Sequence, residues 1–400
     1  INWPSTMRRF HELHYLEKQA KPASDATIFI QIASYRDRDL PRTIANALEQ
    51  AEHPHRLRVG ICWQYDEETF EDLEPYLDDE RFGVDEVYYR KSHGCTWARS
   101  RANHMFDGED YYLQIDAHMR FATGWDTTLI EMLSSIDAEK PILTVYPPGF
   151  TTDGQGNDEL SRPGSLQVLA LRSINEHLQT RQCTRIADDQ DRPGKSPFVA
   201  AGFLFTHGSF CEEVPYDPFG YFAGEEIALA ARAFSWGYDF FHPSEHVVWH
   251  RYDHGEPLHW SDKEEAVGGS EHRSRDRLAT LLLGDHRELA PYGLGPMRSV
   301  REFEDYCGID FGAAATGQLL PEPTELDLVI ELDTEGIEPR DDYDVWVFAI
   351  LGANDRELLR DDISDERVLS GETRTVSVTA TFRVKPAKYL LWPKSKELGF

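Results

Sequence analysis

Apolar residues come in continuous runs of strand length through the first third of the chain, and each run is followed by a stretch with helical spacing. The first run is Thr27 to Ala33, ending in the polar turn Ser34-Tyr35-Arg36-Asp37-Arg38-Asp39. A helix is predicted over Leu40 to Ala51, with Pro41 in its first turn, where a missing N–H costs nothing. A second buried strand follows at Leu57 to Trp63. Strand, loop, helix, strand is the order of a βαβ unit and predicts a parallel sheet. The alternation continues with strands at Val84–Tyr89, Tyr111–Ile115 and Pro141–Tyr146, and helices at Trp97–Met105 and Trp125–Ile136.

The pattern then loosens. Residues 147–198 read as loops rich in Pro, Gly and Asp. Strand-like segments resume at Phe198–Thr206 and Glu245–Trp249, with a helix near Glu225–Ala233 and a charged helical stretch over 262–284. From 326 onward apolar and polar residues alternate with a period of two, and no helical spacing intervenes. This predicts a small antiparallel β-sandwich. The expected division is an N-terminal helical appendage over 1–25, an α/β domain over 26–284, a wrapped linker over 285–323 and the β-sandwich over 324–400.

Charge narrows the partners. Seventy-one acidic residues stand against 41 basic ones, a net charge of −30. Such a surface repels phosphate backbones and anionic lipid, so neither nucleic acid nor membrane is expected as a partner. A site for a diphosphate must then gather local positive charge, from arginines or a metal. The five cysteines are scattered, with no C-x-x-C pair, which predicts reduced thiols in a cytoplasmic protein. The chain opens without a basic-then-apolar leader pattern and holds no apolar run long enough to span a bilayer.

The chemistry-bearing stretch is Tyr111 to His118, in which a buried strand delivers Asp116 and His118 two residues apart at its carboxyl end. Ligands bind at that edge of open α/β sheets, and residues i and i+2 of an extended chain point the same way. A carboxylate and an imidazole suit a divalent ion such as Mn²⁺ that also holds diphosphate oxygens. The series His242, His246, His250 and His254 has helical spacing, but Pro243, Val247-Val248 and Gly255 argue for strand and loop. His250, at the end of an apolar strand, is the one placed to return toward Asp116. Glu225 and Glu226 open a helix after Phe222-Ala223-Gly224, and two readings stand: charges complementing the helix dipole, or carboxylates that grip a sugar. Arg36, Arg99 and Arg101 lie near strand ends, where bidentate pairing can hold a pyrophosphate. Arg38 and Arg42 read as surface salt-bridge partners.

These motifs, in this order, resemble one family. The run Ile28 to Asp37, Gly94 to Arg99, Gln114 to Met119 with Gly124-Trp125-Asp126, Phe222 to Glu226, Val248 to Tyr252, and Tyr292 to Gly295 with Arg298-Ser299 resemble the polypeptide α-N-acetylglucosaminyltransferases that modify hydroxyproline of a ubiquitin-ligase subunit. The resemblance covers roughly residues 26–310. It implies a GT-A type nucleotide-sugar (Rossmann-like) mixed sheet, UDP-GlcNAc as donor, a divalent cation (Mn²⁺ or Mg²⁺) and retention of configuration. Carried over, it makes Asp116, His118 and His250 metal ligands and faces Ser34, Tyr35 and Arg36 toward uridine. It further sets Arg99 at the donor phosphates and Glu225 or Glu226 at the donor sugar or acceptor, with Asp116, Glu225 and Glu226 as the catalytic carboxylates. The expected reaction is transfer of GlcNAc to a hydroxyl of a protein or peptide. A metal-dependent hydrolase and a carbohydrate-binding protein working through its β-domain are the alternatives, and the β-sandwich is no part of the resemblance.

Overall fold

The computed structural model describes residues 25–69, 72–252, 259, 264–331, 345–353, 357–363 and 375–394. The expected N-terminal helix and His254 lie outside them. The described residues up to Arg172, with Gln179–Gly308, form one compact unit; Ser173–Leu178 and the described residues from Ile309 onward form a second.

The first unit is built on an eight-stranded mixed sheet. Its parallel half is β1 (Ile28–Tyr35), β2 (Leu57–Tyr65), β3 (Phe82–Tyr88) and β4 (Tyr111–Asp116). β1 lies between β2 and β4, with Ile28 opposite both Leu57 and Tyr111 and Ala33 opposite Asp116. Strands buried on both faces must be apolar throughout, and Ile28, Ile30, Ile32, Ile61, Leu113 and Ile115 are almost completely enclosed. Each such side chain removed from water contributes on the order of 1.5–3 kcal/mol. Because β2 and β4 leave β1 in opposite directions, the sheet switches topology between β1 and β4, at their carboxyl ends.

The rest of the sheet runs from β4 through β12 (Phe203–His207), β6 (Pro141–Thr144) and β13 (Asp239–His242) to β11 (Gly194–Lys195). β12 is antiparallel to both its neighbours, which makes the sheet mixed. A separate pair, β5 (Met119–Phe121) with β14 (Val248–His250), sets His250 opposite Met119. The helices that flank the strands are α1 (Leu40–Gln50), α2 (Cys95–Asn103), α3 (Trp125–Ser134), α4 (Glu225–Ser235), α5 (Glu264–Leu283) and α6 (Val300–Cys307).

The stretch expected as loop over 147–198 contains two ribbons, β7 (Phe150–Thr152) with β8 (Asp158–Leu160) and β9 (Gln167–Ile174) with β10 (Thr180–Ile186). Their Thr, Gln and Arg content and short length hide the period of two. Inside the stretch expected as linker, α6 is a capped helix. Ser299 Oγ accepts from Glu302 N, the Glu302 carboxylate accepts from Ser299 N, and Phe303 packs on Phe234 of α4. The division between units falls just after it, at Gly308.

The second unit is a β-sandwich. β15 (Leu319–Glu331) pairs antiparallel with β18 (Thr375–Val384), and β16 (Val345–Leu351) lies between β17 (Glu357–Ile363) and β19 (Lys388–Lys394). Leu326, Leu328, Val378 and Phe382 of one sheet and Phe348, Ile350 and Leu391 of the other share a single core.

Candidate metal centre

β4 ends at Asp116, and the chain turns at once through Ala117 and His118 into β5. Thr43 of α1 holds that turn, its hydroxyl donating to Ala117 O at 2.8 Å and accepting from Met119 N at 2.9 Å. The β5–β14 pairing then carries His250 in from 132 residues away, and Arg251 N bonds His118 O. The two ring Nε2 atoms face each other at 3.0 Å, and His250 Nε2 lies 3.2 Å from Asp116 Oδ2. One ligand atom each from Asp116, His118 and His250 lies within 4.8 Å of the others. Lone pairs from two imidazoles and a carboxylate thus converge on one point, a donor set that suits a divalent cation. A shared proton satisfies only one of these pairs at a time.

Neighbours fix each donor. Asp37 Oδ2 is 2.6 Å from His118 Nδ1. Arg99, 1% exposed, donates from Nη2 to Asp116 Oδ1 at 2.7 Å and from Nη1 to Gln31 Oε1 at 2.9 Å. Burial works against the charge of Asp116, but the bond to His250 and the charges of Arg99 and both histidines hold its carboxyl well below the usual range. Burial likewise works against a charged His118, yet Asp37, with Asp116 and Asp39 behind it, raises its pKa. Gly202 closes the other side: a Cβ there would stand 2.6 Å from Asp116 Oδ2, so only glycine fits.

The resemblance set Arg99 at the donor phosphates and allowed Glu225 a place at the sugar; the structure turns both inward. The Arg99 guanidinium is enclosed between Asp116, Gln31 and Glu225, with Nε 3.1 Å from Glu225 Oε1. Glu225 is buried as well and accepts from Tyr216 OH at 3.0 Å. Burial raises its carboxyl pKa, opposed by Arg99 and Tyr216. Gly94, at φ 111°, caps the start of α2, where a Cβ would meet the Tyr221 ring at 2.5 Å.

Glu226 sits differently. Its Oε1 accepts from Ala201 N at 3.0 Å, and its Oε2 accepts from Tyr146 OH at 2.7 Å and Gln182 Nε2 at 3.2 Å. Burial pushes its pKa up to about 7, with the Tyr146 and Ala201 bonds opposing and the charges of Glu225 and Asp116 adding. Glu226 therefore tethers the segment that presses Gly202 against Asp116.

At the end of β1 the Ser34 hydroxyl is buried with no hydrogen-bond partner among the described residues. The Tyr35 ring meets His259 edge-on at 4.9 Å. Arg36 pairs with Asp66 at 2.6 Å and lies over the Tyr89 ring at 4.5 Å. Arg101 pairs with Asp85 of β3. His242 is buried on β13, and His246 lines a neighbouring cavity of about 460 Å³ with Tyr146, Pro147, Pro148, Leu166 and Tyr252. The Tyr252 ring packs on His250 at 4.3 Å. Sequence reasoning assigned no role to Asp37, Gln31, Tyr146, Gly202 or Tyr252. The acid in the polar turn after β1 was the one visible signal.

Residues 27–80 and 69–313 match the family model described as Glycosyltransferase (GlcNAc). The chain belongs to the GlcNAc glycosyltransferase family. In this family member every one of the clustered residues lies inside the matched span, and the second unit lies almost wholly beyond it. Among solved structures it is similar to GalNAc-T7 with UDP, GalNAc and Mn²⁺ (14% identity, TM-score 0.51, covering 78% of this chain and 64% of that one). It also matches TarS 1–349 of S. aureus (11% identity, TM-score 0.39, covering 66% and 72%). The chain thus spans just under two thirds of GalNAc-T7, and that likeness identifies the fold as the GT-A type. No curated protein matches the chain in sequence. No helix among the described residues is long and apolar enough to cross a membrane, and no disulfide joins the five cysteines.

Proposed function

We propose that this chain transfers a sugar, GlcNAc or a related hexosamine, from a UDP donor to a hydroxyl of a protein or peptide, with Mn²⁺ held by Asp116, His118 and His250. The observation that carries this is the convergence of those three side chains at the carboxyl ends of the central strands, from two motifs 132 residues apart. That GalNAc-T7 holds UDP, GalNAc and Mn²⁺ on the same fold supports the donor class. A divalent ion at this point supplies charge neutralisation for a departing diphosphate.

The protein's own residues do the rest. Arg99 keeps Asp116 ionised and fixed in place. The Ser34 hydroxyl, Tyr35 and Arg36 offer a polar and aromatic edge for the nucleoside beside the cluster. Glu226 and Tyr146 hold the wall between the cluster and the 460 Å³ cavity, the natural side for an acceptor. Calorimetric titration tests the reading: UDP should bind with Mn²⁺ and lose most of its affinity when the ion is chelated. Equal UDP affinity with and without the ion sinks the metal assignment.

A further inference from the structure

The two histidines of the cluster are not equivalent, and the difference lies behind them. His118 Nδ1 is 2.6 Å from Asp37 Oδ2, whereas His250 Nδ1 is buried with no hydrogen-bond partner among the described residues. Asp37 is itself fixed, because its Oδ1 accepts from Asp39 N at 2.9 Å. Asp39 in turn grips Arg120 through two bonds of 2.9 and 2.8 Å. Arg120, 3% exposed and next but one to His118, also donates to Asp158. A carboxylate only accepts, so Asp37 requires the neutral His118 ring to carry its proton on Nδ1. The lone pair then sits on Nε2, the atom that faces Asp116 and His250.

Resting on the metal-centre reading above, we infer that Asp37 is a positioning residue: it fixes the tautomer and ring plane of His118 and makes that histidine the anchoring ligand of the pair. His250, with no such partner, is the ligand whose ring is set by the ion and by Tyr252. Carboxylate–histidine–metal arrangements of this kind typically govern affinity by 10–100-fold.

The asparagine variant separates this role from a merely structural one. Asp37→Asn keeps the shape, and its amide oxygen still accepts from Asp39 N. Its NH₂ then faces His118 Nδ1 and forces the proton onto Nε2, the metal-facing atom. Mn²⁺ affinity, read by calorimetry or by electron paramagnetic resonance of the free ion, should fall 10–100-fold in Asp37→Asn and in Asp37→Ala. Circular dichroism should be unchanged for the asparagine variant. A wild-type Mn²⁺ affinity in folded Asp37→Asn overturns the inference. A second measurement needs no variant to fold: in ion-free wild-type protein at alkaline pH, long-range ¹H–¹⁵N spectra of labelled histidine should show His118 protonated on Nδ1, and protonation on Nε2 overturns the inference. Wild-type protein that binds no Mn²⁺ at all overturns the metal-centre reading itself, and that failure is visible before any variant is made.

Discussion

Two carboxylates ten residues apart in one stretch of chain, Asp126 enclosed and Asp116 half-buried, show how differently the same side chain is used. Asp126, in the first turn of α3, is completely enclosed. It accepts from Glu52 N at 2.7 Å, from His53 N at 3.0 Å and from Arg56 Nη2 at 3.3 Å. Every group pointed at it is a committed donor, and the contacts staple the end of α1 to α3. Asp116 accepts from one such donor, Arg99, but its other oxygen faces His250 Nε2, which faces His118 Nε2 in turn. His250 Nε2 carries at most one proton, so it cannot serve both Asp116 and His118 at once. The first region is closed on itself, and the second leaves over an acceptor that a cation would satisfy. Ion pairing alone does not separate them; exposure and the number of committed donors do.

The strongest way to break that contrast is to remove each carboxylate in turn. Asp116→Ala should abolish Mn²⁺-dependent UDP binding in calorimetry while the protein remains folded. Asp126→Ala should leave the Mn²⁺ affinity of the folded protein near wild type but cost about 3–5 kcal/mol in denaturant unfolding, because Arg56 is left buried without its partner. If the two variants exchange phenotypes, the donor-counting argument is wrong.

A smaller effect sharpens the second region. His250→Ala removes a ligand and should weaken Mn²⁺ binding by more than the roughly 10–100-fold seen when groups that only support the ligands are lost. His246→Ala, which lines the cavity without joining the cluster, should change it less than about twofold. Equal losses from both would mean that the histidines form a structural group rather than a coordination shell.

The closed and open regions were not equally legible in the sequence. The strands of the parallel half were visible because burial on both faces favours nearly continuous apolar runs such as Ile28–Ile32, interrupted only by Gln31, and Pro41 and the spacing after it marked α1. Asp116 and His118 were visible because they end such a run. His250 was singled out at the end of Val247-Val248-Trp249, but its role as a ligand came from the resemblance, since a three-residue strand pairing that sets it opposite Met119 leaves no local trace. The orientation of Arg99 was lost because α2 has almost no amphipathic contrast: Ala98, Arg99, Ser100 and Ala102 are all buried. An arginine there reads as a cation for the donor phosphates until its neighbours Gln31, Asp116 and Glu225 are in place. Asp37 was hidden in a polar turn whose charges look alike.

Glu226 stands between the two regions and gives the smallest and most specific test. Like Asp126 it has three committed donors, yet it shares the electrostatic surroundings of Asp116, and its pKa rises to about 7. The folded state therefore holds a proton that the unfolded chain releases near its ordinary value of 4.5. Below about 4.5 both states are protonated and the full stability is present. As pH rises from there to about 7 the folded state binds more protons than the unfolded one, so stability falls; above that the loss is constant. A shift of this size corresponds to on the order of 3 kcal/mol. Glu226→Gln removes the titration and keeps the packing. Its amide oxygen accepts from Ala201 N, and its NH₂ can donate to the Tyr146 hydroxyl, which accepts as well as donates. In ion-free protein, the stability of wild type relative to Glu226→Gln should decline across that window and level off above it, read from denaturant midpoints at matched ionic strength. A difference that stays flat with pH would show that the Glu226 charge is fully compensated by its own donors. Glu226 would then belong to the closed region, and the wall beside Asp116 would be set by hydrogen bonds alone.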